Sequence, residues 1–343
     1  MKDKESKKIS NKDELPFISV IVPMHNEGKV IDKKLKNCLE LEYPKDKWEI
    51  LVADDFSTDN GCAIVQKYVG EYDRISLVKN QYERGKVGGL KTSFKAAKGE
   101  IIVLTDSDVI LDKDALYKCA HHLMPEDVGA VCGIHLSNKK KDEGLFIHED
   151  IYRKIYTRLR LWESSLDSAP VFHGQFMAFK KQFAKIILNE NTYAEDTDFA
   201  IKIRKEGFKT KYMEDATFYE IPPVDFNDFQ NQKIRRGIGL VQIFWSHRKL
   251  LFNPRYGFFG LLIFPLEFVM NAMQPFIALC GYFLLAFISF KIHPIIGILF
   301  IGFTILLTKT KLLKTYLFMN KVLLVSIVNI FRGKLSPAWN SER

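Results

Sequence analysis

The sequence contains few cysteines, and their spacing shows no pairing. The 343-residue chain has five, and no two of them form a C-x-x-C motif: Cys38, Cys62, Cys119, Cys132 and Cys280. Scattered cysteines of this kind are typical of reduced thiols in the cytosol. The pattern therefore argues against a disulfide-stabilised secreted protein.

Two common nucleotide-binding motifs are also missing. No G-x-G-x-x-G follows the first strand-like segment, FISVIVP, and no G-x-x-x-x-G-K-[ST] occurs in the chain. Dinucleotide-binding and P-loop functions are therefore disfavoured. The net charge is +9, yet the chain lacks a basic helix interleaved with aromatic residues and lacks a zinc pattern. We therefore expect no nucleic acid partner.

Acidic residues nearly disappear in the last third of the chain. Residues 257–290, GFFGLLIFPLEFVMNAMQPFIALCGYFLLAFISF, contain one charged residue, Glu267, and the following IIGILFIGFTILLT contains none. Clean apolar runs of about 17 residues make helices of roughly 26 Å, which is near the lower limit for crossing a bilayer core. We predict transmembrane or interfacial helices over 257–331, with two or four spans favoured over buried core helices.

The charged flanks of these runs predict a topology. The stretch 1–15 is charged and poor in apolar residues, so we expect a disordered cytosolic tail without a signal peptide. The basic segments SHRKLLFNPRYG and TKTKLLKTY border the apolar runs, as the positive-inside rule requires of cytosolic flanks. We expect a multi-pass protein of the cell membrane, with its soluble domain in the cytoplasm and a second cytosolic tail at 332–343.

Strand-like and helix-like segments alternate from Phe17 onward. FISVIVP, WEILVADD, RISLVKN and EIIVLTDSD have strand character, and amphipathic helical segments separate them. The alternation predicts an α/β domain over 16–225, with a mostly parallel, Rossmann-like sheet covered on both faces. Ligands of such sheets bind beyond the carboxyl ends of the strands. In this chain those positions hold PMHNE, the pair Asp54-Asp55, and the pair Asp106 and Asp108.

The pair at the end of EIIVLTDSD is a candidate metal site. Two carboxylates as close as Asp106 and Asp108 repel unless a cation or a cluster of donors lies between them. Their spacing and oxygen chemistry suit Mg²⁺ or Mn²⁺ shared with a substrate diphosphate. A turn or a helix N-cap accounts for the same residues without a metal, but the other acidic sites on this edge favour the metal.

A second acidic site and a lysine accompany this pair. Asp54 and Asp55 end a buried strand, where a carboxylate can accept hydrogen bonds from a nucleobase and a ribose. Lys86 stands at a glycine-rich helix start, from which a cation can reach a phosphate. Helix capping and a solvated lysine remain the alternatives.

Two motifs follow in the second half of the domain. Glu195 and Asp196 begin an amphipathic helix; helix-dipole stabilisation is the alternative to a role for Asp196 as general base. The helical segment 226–256 carries QNQKIRRG, in which Gln232, Arg235 and Arg236 precede the apolar runs. An arginine there can neutralise a departing diphosphate, while an interfacial helix that binds anionic lipid explains the same charges.

Six segments of the soluble domain occur in one order: ISVIVPMHNE, VADDFSTD, RGKVGGLKTSFKAAKGEIIVLTDSD, GQFMAFKK, AEDTDFAIKIRKEGF and QKIRR. Together they resemble the membrane-associated, GT-A-fold glycosyltransferases of family two, which include cellulose, hyaluronan and ceramide-glucosyl synthases. The resemblance covers essentially the whole soluble domain. It implies a GT-A fold, a nucleotide-sugar donor such as a UDP- or GDP-sugar, and Mg²⁺ or Mn²⁺ as cofactor.

The resemblance also implies roles for individual residues. Asp108, with Asp106, would bind the metal, and Asp196, with Glu195, would provide the base. Ala194 and Arg236 stand where the family has Thr and Trp, so Arg236 is expected to bind an anionic acceptor or lipid headgroups. Donor binding would involve Pro23, His25, Glu27, Asp54, Asp55, Lys86, Asp106, Gln232, Arg235 and Arg236, with Arg235 also assisting catalysis at the leaving diphosphate.

The predicted function is an inverting sugar transfer from a nucleotide sugar to a lipid-linked or glycolipid acceptor of the membrane. A processive polysaccharide synthase is the enzymatic alternative, and a non-catalytic nucleotide-sugar-binding scaffold is the alternative of another class. A nucleotidyltransferase is disfavoured because PMHNEGK lacks the glycine-rich turn that wraps a triphosphate.

Overall fold

A computed structural model describes residues 15–136, 145–186, 188, 193–220 and 226–333. The tails predicted at 1–15 and 332–343 lie outside these ranges except for their innermost residues. The described part contains one eight-stranded sheet in the order β3-β2-β1-β4-β7-β6-β8-β5. Its strands are β1 Ile18–Met24, β2 Trp48–Asp54, β3 Ile75–Lys79, β4 Ile101–Thr105, β5 Val109–Leu111, β6 Val128–Leu136, β7 Phe176–Lys180 and β8 Lys209–Glu220.

The sheet changes character at β7. Strands β3, β2, β1 and β4 pair in parallel, whereas β7 is antiparallel to both β4 and β6. β8 is parallel to β6 and antiparallel to β5. The predicted mostly parallel sheet is thus correct for the first four strands, and the remainder is mixed. A short buried strand has the same apolar pattern in either direction, so the sequence did not reveal the orientation of β7.

Seven helices of the described residues accompany the sheet: α1 Ile31–Leu39, α2 Gly61–Glu71, α3 Lys86–Ala96, α4 Ala115–Leu123, α5 Leu145–Leu166, α6 Glu195–Lys205 and α7 Phe226–Ser246. The sheet is covered on both faces, as predicted. Val20 and Val22 of β1 pack in one apolar cluster with Leu35 of α1, while Ile21 packs in the opposite cluster with Leu90 of α3. Alternate residues of one strand therefore supply two separate cores.

A third apolar cluster joins the α/β domain to the C-terminal helices. Phe244 of α7 packs there with Phe259 and Phe264, which belong to the first apolar helix. Hydrogen bonds accompany the packing: Arg204 of α6 donates to Asp167 at 2.9 Å, and the backbone N–H of Phe259 donates to the same carboxylate. The first apolar helix thus begins as part of the domain core.

Three apolar helices follow: α8 Phe259–Ile292, α9 Pro294–Leu307 and α10 Lys311–Phe331. α8 and α10 are long and apolar enough to cross a membrane, judged by length and composition. The second half of α8 is exposed, with Phe283 at 65% and Phe287 at 61% of full exposure. α9 packs against it so closely that a Cβ on Gly297 would lie 2.4 Å from the ring of Phe290. The number of spans stays a prediction.

Candidate active site

The predicted donor residues of the first half of the domain gather at one edge of the sheet. β1 pairs with β2 so that Met24 lies opposite Asp54, and β4 runs parallel to β1 on its other side. The carboxyl ends of all three strands therefore meet, and they bring Pro23, Asp54 and Asp106 to the same edge. The residues that follow β1 and β2, Asn26 and Phe56, have positive φ angles of 54° and 56°. Such backbone is uncommon outside glycine and clusters at functional sites.

The loop after β1 is fixed by hydrogen bonds of His25. Its Nδ1 lies 2.6 Å from the carbonyl oxygen of Asp55, and its Nε2 lies 2.8 Å from a nitrogen of Arg84. A carbonyl can only accept and a guanidinium can only donate, which assigns the imidazole proton to Nδ1. His25 thus positions Arg84, a basic residue of this edge that our sequence reasoning missed. Glu27 is buried, and its carbonyl accepts from Ile31 at the start of α1.

Both carboxylates that end β2 are engaged within the protein. Asp55 accepts from the backbone N–H of Gly85 with both oxygens, at 3.0 and 2.9 Å, and from Asn80 at 2.7 Å. Gly85 has a φ of 147°, which L side chains rarely adopt. Asp54 accepts from the N–H of Ser57 at 3.2 Å. Asp55 therefore holds the start of α3 in place, and contact of either aspartate with a donor stays a prediction.

Lys86 connects two of the predicted motifs. Its Nζ lies 3.1 Å from Asp106 and 3.4 Å from Glu195. Burial by itself would lower the pKa of Lys86, but the two carboxylates outweigh it, so the pKa is raised. A stable positive charge therefore stands between the DSD turn and the start of α6. The structure thus brings Lys86, Asp106 and Glu195 together, as the sequence order alone could not show.

A second lysine lies beneath the DSD turn. The side chain of Lys34 in α1 is fully buried and donates to the Thr105 hydroxyl at 2.7 Å and to the Val109 carbonyl at 2.8 Å. Burial lowers its pKa, while Asp106 and Asp108 oppose that shift. Sequence reasoning missed Lys34, although the signal was present: it falls on the apolar stripe of an amphipathic helix, where an unpaired lysine is rare.

The DSD turn supplies the oxygen ligands that a hard divalent cation prefers. Asp108 is buried and Asp106 is partly exposed. No group of three or more His, Cys, Asp or Glu in the described ranges is arranged to hold a metal. Mg²⁺ and Mn²⁺ suit sites that supply one or two carboxylates and leave the other positions to substrate phosphates and water. These residues therefore fit a cation bound together with a diphosphate rather than a closed protein cage.

Asp196 has the properties of a base near neutral pH. Its Oδ2 accepts from the N–H of Gly174 at 2.6 Å, and its Oδ1 accepts from the N–H of Thr197 at 2.8 Å. Burial raises its pKa to about 6 and Glu195 contributes to the increase, while Arg236 and Lys86 oppose it. A carboxylate with this pKa is ionised at pH 7 yet basic enough to accept a proton.

The two arginines of QKIRRG point to different surroundings. A guanidinium nitrogen of Arg236 lies 3.3 Å from Nδ1 of His173, and Arg236 lines a cavity together with Asp196. Arg235 is exposed, with its guanidinium 6.0 Å from the ring of Tyr193. Successive residues of a helix are separated by about 100°, so neighbours rarely face the same cavity. The predicted role of Arg235 at the diphosphate stays a prediction, as does that of Gln232, which donates to Glu220 at 3.4 Å.

This cavity, of about 290 Å³, lies between the α/β domain and the apolar helices. Asp196, His173 and Arg236 line it on the side of the domain, and residues of α5, α7, α8 and α10 complete its walls. α5 and α7 add the cations Arg153 and Lys233, and the apolar helices add Met270, Gln274, Leu312, Met319 and Leu323. Sequence reasoning missed this lining because it is drawn from segments far apart in the chain.

The histidines of the cavity are neutral. Burial and the nearby Arg236 lower the pKa of His173, and burial and Arg153 lower the pKa of His135 to about 2. Arg153 also lies in direct contact with Nδ1 of His135. The cationic side chains that line the cavity are therefore Arg153, Arg160, Lys233 and Arg236.

The family model described as glycosyl transferase family 2 matches residues 19–187, which include the sheet edge with the DSD turn. This chain contains a glycosyltransferase family 2 domain. The predicted family, GT-A fold and enzyme class are thereby confirmed. A solved structure similar to this chain is that of the mannosyltransferase PcManGT from Pyrobaculum calidifontis in complex with GDP-Man and Mn²⁺. It superposes with a TM-score of 0.72 at 26% identity, covering 94% of this chain and 89% of that chain.

Curated relatives of this chain agree with that assignment. A probable glycosyltransferase of Bacillus subtilis, YdaM, is 28% identical over 280 residues, which are 76% of this chain and 66% of the relative. The beta-monoglucosyldiacylglycerol synthase of Nostoc sp. is 37% identical over 119 residues, which are 34% of this chain and 25% of the relative. The chain therefore spans between a quarter and two thirds of the length of these relatives.

Proposed function

We propose that this chain transfers a sugar, with inversion, from a nucleotide-diphosphate sugar to a lipid acceptor drawn from the membrane. The observation that carries the proposal is the cavity in which the carboxylate of Asp196 and the side chains of the apolar helices line one space. An acceptor with a reactive polar end and an apolar tail fits such a lining.

The donor is proposed from the polar edge of the sheet. A nucleoside diphosphate would lie against the loop after β1 and against Asp54 and Asp55, and Asp106 and Asp108 would hold a divalent cation. A bound Mg²⁺ or Mn²⁺ would neutralise charge on the diphosphate as it departs. The solved mannosyltransferase, which carries GDP-Man and Mn²⁺, supports this donor class without deciding between a UDP- and a GDP-sugar.

The proposed chemical step is a single displacement. Asp196 accepts the proton of an acceptor O–H group while that oxygen forms a bond to the anomeric carbon. The bond between this carbon and the diphosphate oxygen breaks, and its electron pair leaves with the nucleoside diphosphate. One displacement at the anomeric carbon inverts its configuration, so one base is sufficient. Lys86 keeps a positive charge 3.1 Å from Asp106, beside the proposed diphosphate site.

The charges of the cavity favour an anionic or strongly polar headgroup on the acceptor. Arg153, Lys233 and Arg236 line it beside the neutral His173, and guanidinium groups suit phosphate oxygens. A polyprenyl phosphate has this chemistry. Diacylglycerol is the other candidate acceptor, since the Nostoc relative is named as a synthase of a glucosyldiacylglycerol.

A membrane location follows from the same helices. Contiguous exposed apolar surface on the scale of α8 and α9 is unusual for a soluble monomer. We place these helices in the membrane as a multi-pass unit, with the catalytic domain in the cytoplasm. The basic residues Arg248, Lys249 and Arg255 before α8, and Lys309 and Lys311 after α9, suit cytosolic flanks.

The experiment is a donor and acceptor screen with purified protein in detergent. UDP-, GDP- and dTDP-sugars are first tested for binding in the presence and absence of Mn²⁺, and the bound donor is then offered with polyprenyl phosphate or diacylglycerol. We expect one nucleotide class to bind in a metal-dependent way, and one lipid to be glycosylated with inverted anomeric configuration. Binding without any turnover would support the scaffold alternative, and a water-soluble polymer would support the processive synthase.

A further inference from the structure

Glu267 is the single charged residue of the apolar run 257–290, and the structure gives it a partner. Its side chain is fully buried in α8, and its Oε2 accepts a hydrogen bond from one guanidinium nitrogen of Arg160 in α5 at 2.9 Å. Its Oε1 lies 2.8 Å from the other guanidinium nitrogen as an ion-pair contact that lacks hydrogen-bond geometry. Arg160 also donates to Glu163 of the same helix at 2.8 Å. One guanidinium therefore serves two carboxyl groups on two different elements.

The charges of this cluster do not balance if both glutamates are ionised. Glu163 and Glu267 are fully buried, and a buried carboxylate without compensation is strongly unfavourable. In addition, Oε1 of Glu163 and Oε1 of Glu267 have no hydrogen-bond donor among the described residues. One proton held on this pair would neutralise the excess charge and supply the missing donor.

The geometry indicates which glutamate holds the proton. Glu267 accepts from Arg160 and also from the amide of Asn271, both at 2.9 Å. Glu163 has one such bond, from Arg160. Burial raises the pKa of Glu163, Arg160 opposes the increase, and Glu267 adds to it, so that the pKa lies well above its usual value. The other titratable groups near Arg160 are Tyr212, the neutral His173, and Tyr156, whose ring centroid lies 5.7 Å from the guanidinium carbon.

The cluster also forms part of the proposed acceptor site. Arg160 and Asn271 line the cavity that contains Asp196. Asn271 lies in a π-helical turn of α8, Val269–Met273, and is held by the carbonyl and the side chain of Glu267. Met270 and Gln274 of the same wall line the cavity as well. π-helical turns are frequent at functional sites.

We propose that Arg160, Glu163 and Glu267 form a clamp that holds one proton on Glu163 and fixes α8 against α5, which sets the acceptor wall of the cavity. Glu163 and Glu267 are then positioning residues for the acceptor. The inference rests on the proposed function for its acceptor role, whereas the clamp itself can be tested without activity.

The test compares Glu163→Gln, Glu267→Gln and the double variant in purified protein. Glutamine imitates a protonated glutamate, so Glu163→Gln should keep the KM for polyprenyl phosphate or diacylglycerol, whichever the wild type uses, within about twofold. Glu267→Gln removes a carboxyl group that pairs with Arg160 and should raise that KM about tenfold, with the KM for the donor unchanged. The matched control is Asp127→Asn, which breaks an exposed ion pair with Lys209 and should change neither KM.

Thermal unfolding tests the clamp independently. A group whose folded pKa is raised stabilises the protein at low pH and loses that contribution as pH rises through the folded pKa. The thermal unfolding midpoint of Glu163→Gln should therefore exceed that of the wild type by an amount that grows with pH. Glu267→Gln should unfold at a lower temperature than the wild type, and the double variant should unfold at the lowest temperature of the four proteins.

Several results would overturn the proposal. One is a Glu163→Gln variant as impaired as Glu267→Gln, and another is a midpoint difference that does not change with pH. Equal increases in the KM for donor and acceptor would show a general structural role instead. If the wild type glycosylates no lipid, the proposed function fails, but the order of the unfolding midpoints still decides the clamp.

Discussion

The donor edge and the acceptor cavity are built in opposite ways. Apart from Lys86 at the start of α3, the predicted residues of the donor edge from Pro23 to Asp108 lie at or just after the carboxyl ends of β1, β2 and β4, which meet. The cavity instead gathers residues from His135 to Leu323 on five or more elements. A parallel sheet converts local sequence order into proximity, whereas a cavity between packed helices depends on tertiary packing. A domain of this kind can thus keep its donor chemistry while its acceptor side changes.

The sharpest test of that division is Asp196→Asn, because Asp196 belongs to the cavity while its neighbour Glu195 contacts Lys86 of the donor edge. Loss of the base should lower transfer about 10³-fold, and metal-dependent donor binding should stay within about twofold of the wild type. Calorimetry of donor binding and a transfer assay measure the two effects. A comparable loss of donor binding would show that Asp196 binds the donor instead of acting only as the base.

Asp108→Ala should produce the complementary result. Without this carboxylate the cation loses an oxygen ligand, so donor affinity should fall about 100-fold in Mn²⁺ and lose most of its dependence on the metal. Titration of a UDP- or GDP-sugar with and without Mn²⁺ checks this prediction. The control is Asp215→Asn, which changes an exposed aspartate of β8. If donor affinity depends on Mn²⁺ as strongly as in the wild type, Asp108 is not a metal ligand.

Arg236→Ala and Arg235→Ala form a matched pair of neighbours, one in the cavity and one exposed. We expect Arg236→Ala to raise the KM for the acceptor about tenfold, since it removes a partly buried cation that lines the cavity, and Arg235→Ala to have a smaller effect. Steady-state kinetics at saturating donor compare them. The reverse order would restore Arg235 to the role that the family resemblance implies.

The pH profile of transfer should report Asp196 as well. The base must be ionised, so the rate should fall tenfold per unit below a pKa of about 6. Arg236 lowers the pKa of Asp196, and its removal should move this acidic limb to higher pH. A limb that does not move in Arg236→Ala would show that the two groups do not interact during transfer.

The smallest expected effect concerns Lys34 beneath the DSD turn. Lys34→Met removes one of the two lysines near Asp106 and Asp108, together with its hydrogen bonds to Thr105 and Val109, which should destabilise the metal-free protein by about 2 kcal/mol. Mn²⁺ with UDP or GDP should then recover more stability in the variant than in the wild type, because binding to the folded state offsets the repulsion. Thermal unfolding with and without the metal measures this, and equal recovery would contradict a charge-balancing role.

The difference between the donor edge and the acceptor cavity also explains which features could be predicted from the sequence. The strands and helices around Asp54, Asp106 and Glu195 were predictable because apolar periodicity and polar strand ends are local signals. The contact of Lys86 with Glu195 was not, since it joins residues more than a hundred positions apart.

The sequence marks two buried charged residues but gives no indication of their partners. Lys34 on the apolar stripe of α1 and Glu267 in an apolar run both break a local pattern, which often marks a functional or strained site. Their partners, the DSD turn and Arg160, depend on tertiary packing. In the same way, the motif QKIRRG does not show which of its two adjacent arginines faces the cavity, because that depends on how α7 packs against the domain.

Transfer of the sugar to a membrane lipid can be measured by following a labelled donor. Purified protein is incubated with the labelled donor sugar that it binds, Mn²⁺, and polyprenyl phosphate or diacylglycerol in detergent, and the label is partitioned between organic and aqueous phases. We expect label in the organic phase that requires both the metal and the lipid and that is lost in Asp196→Asn. Label that enters only an aqueous polymer, or organic label that persists in Asp196→Asn, would contradict this expectation.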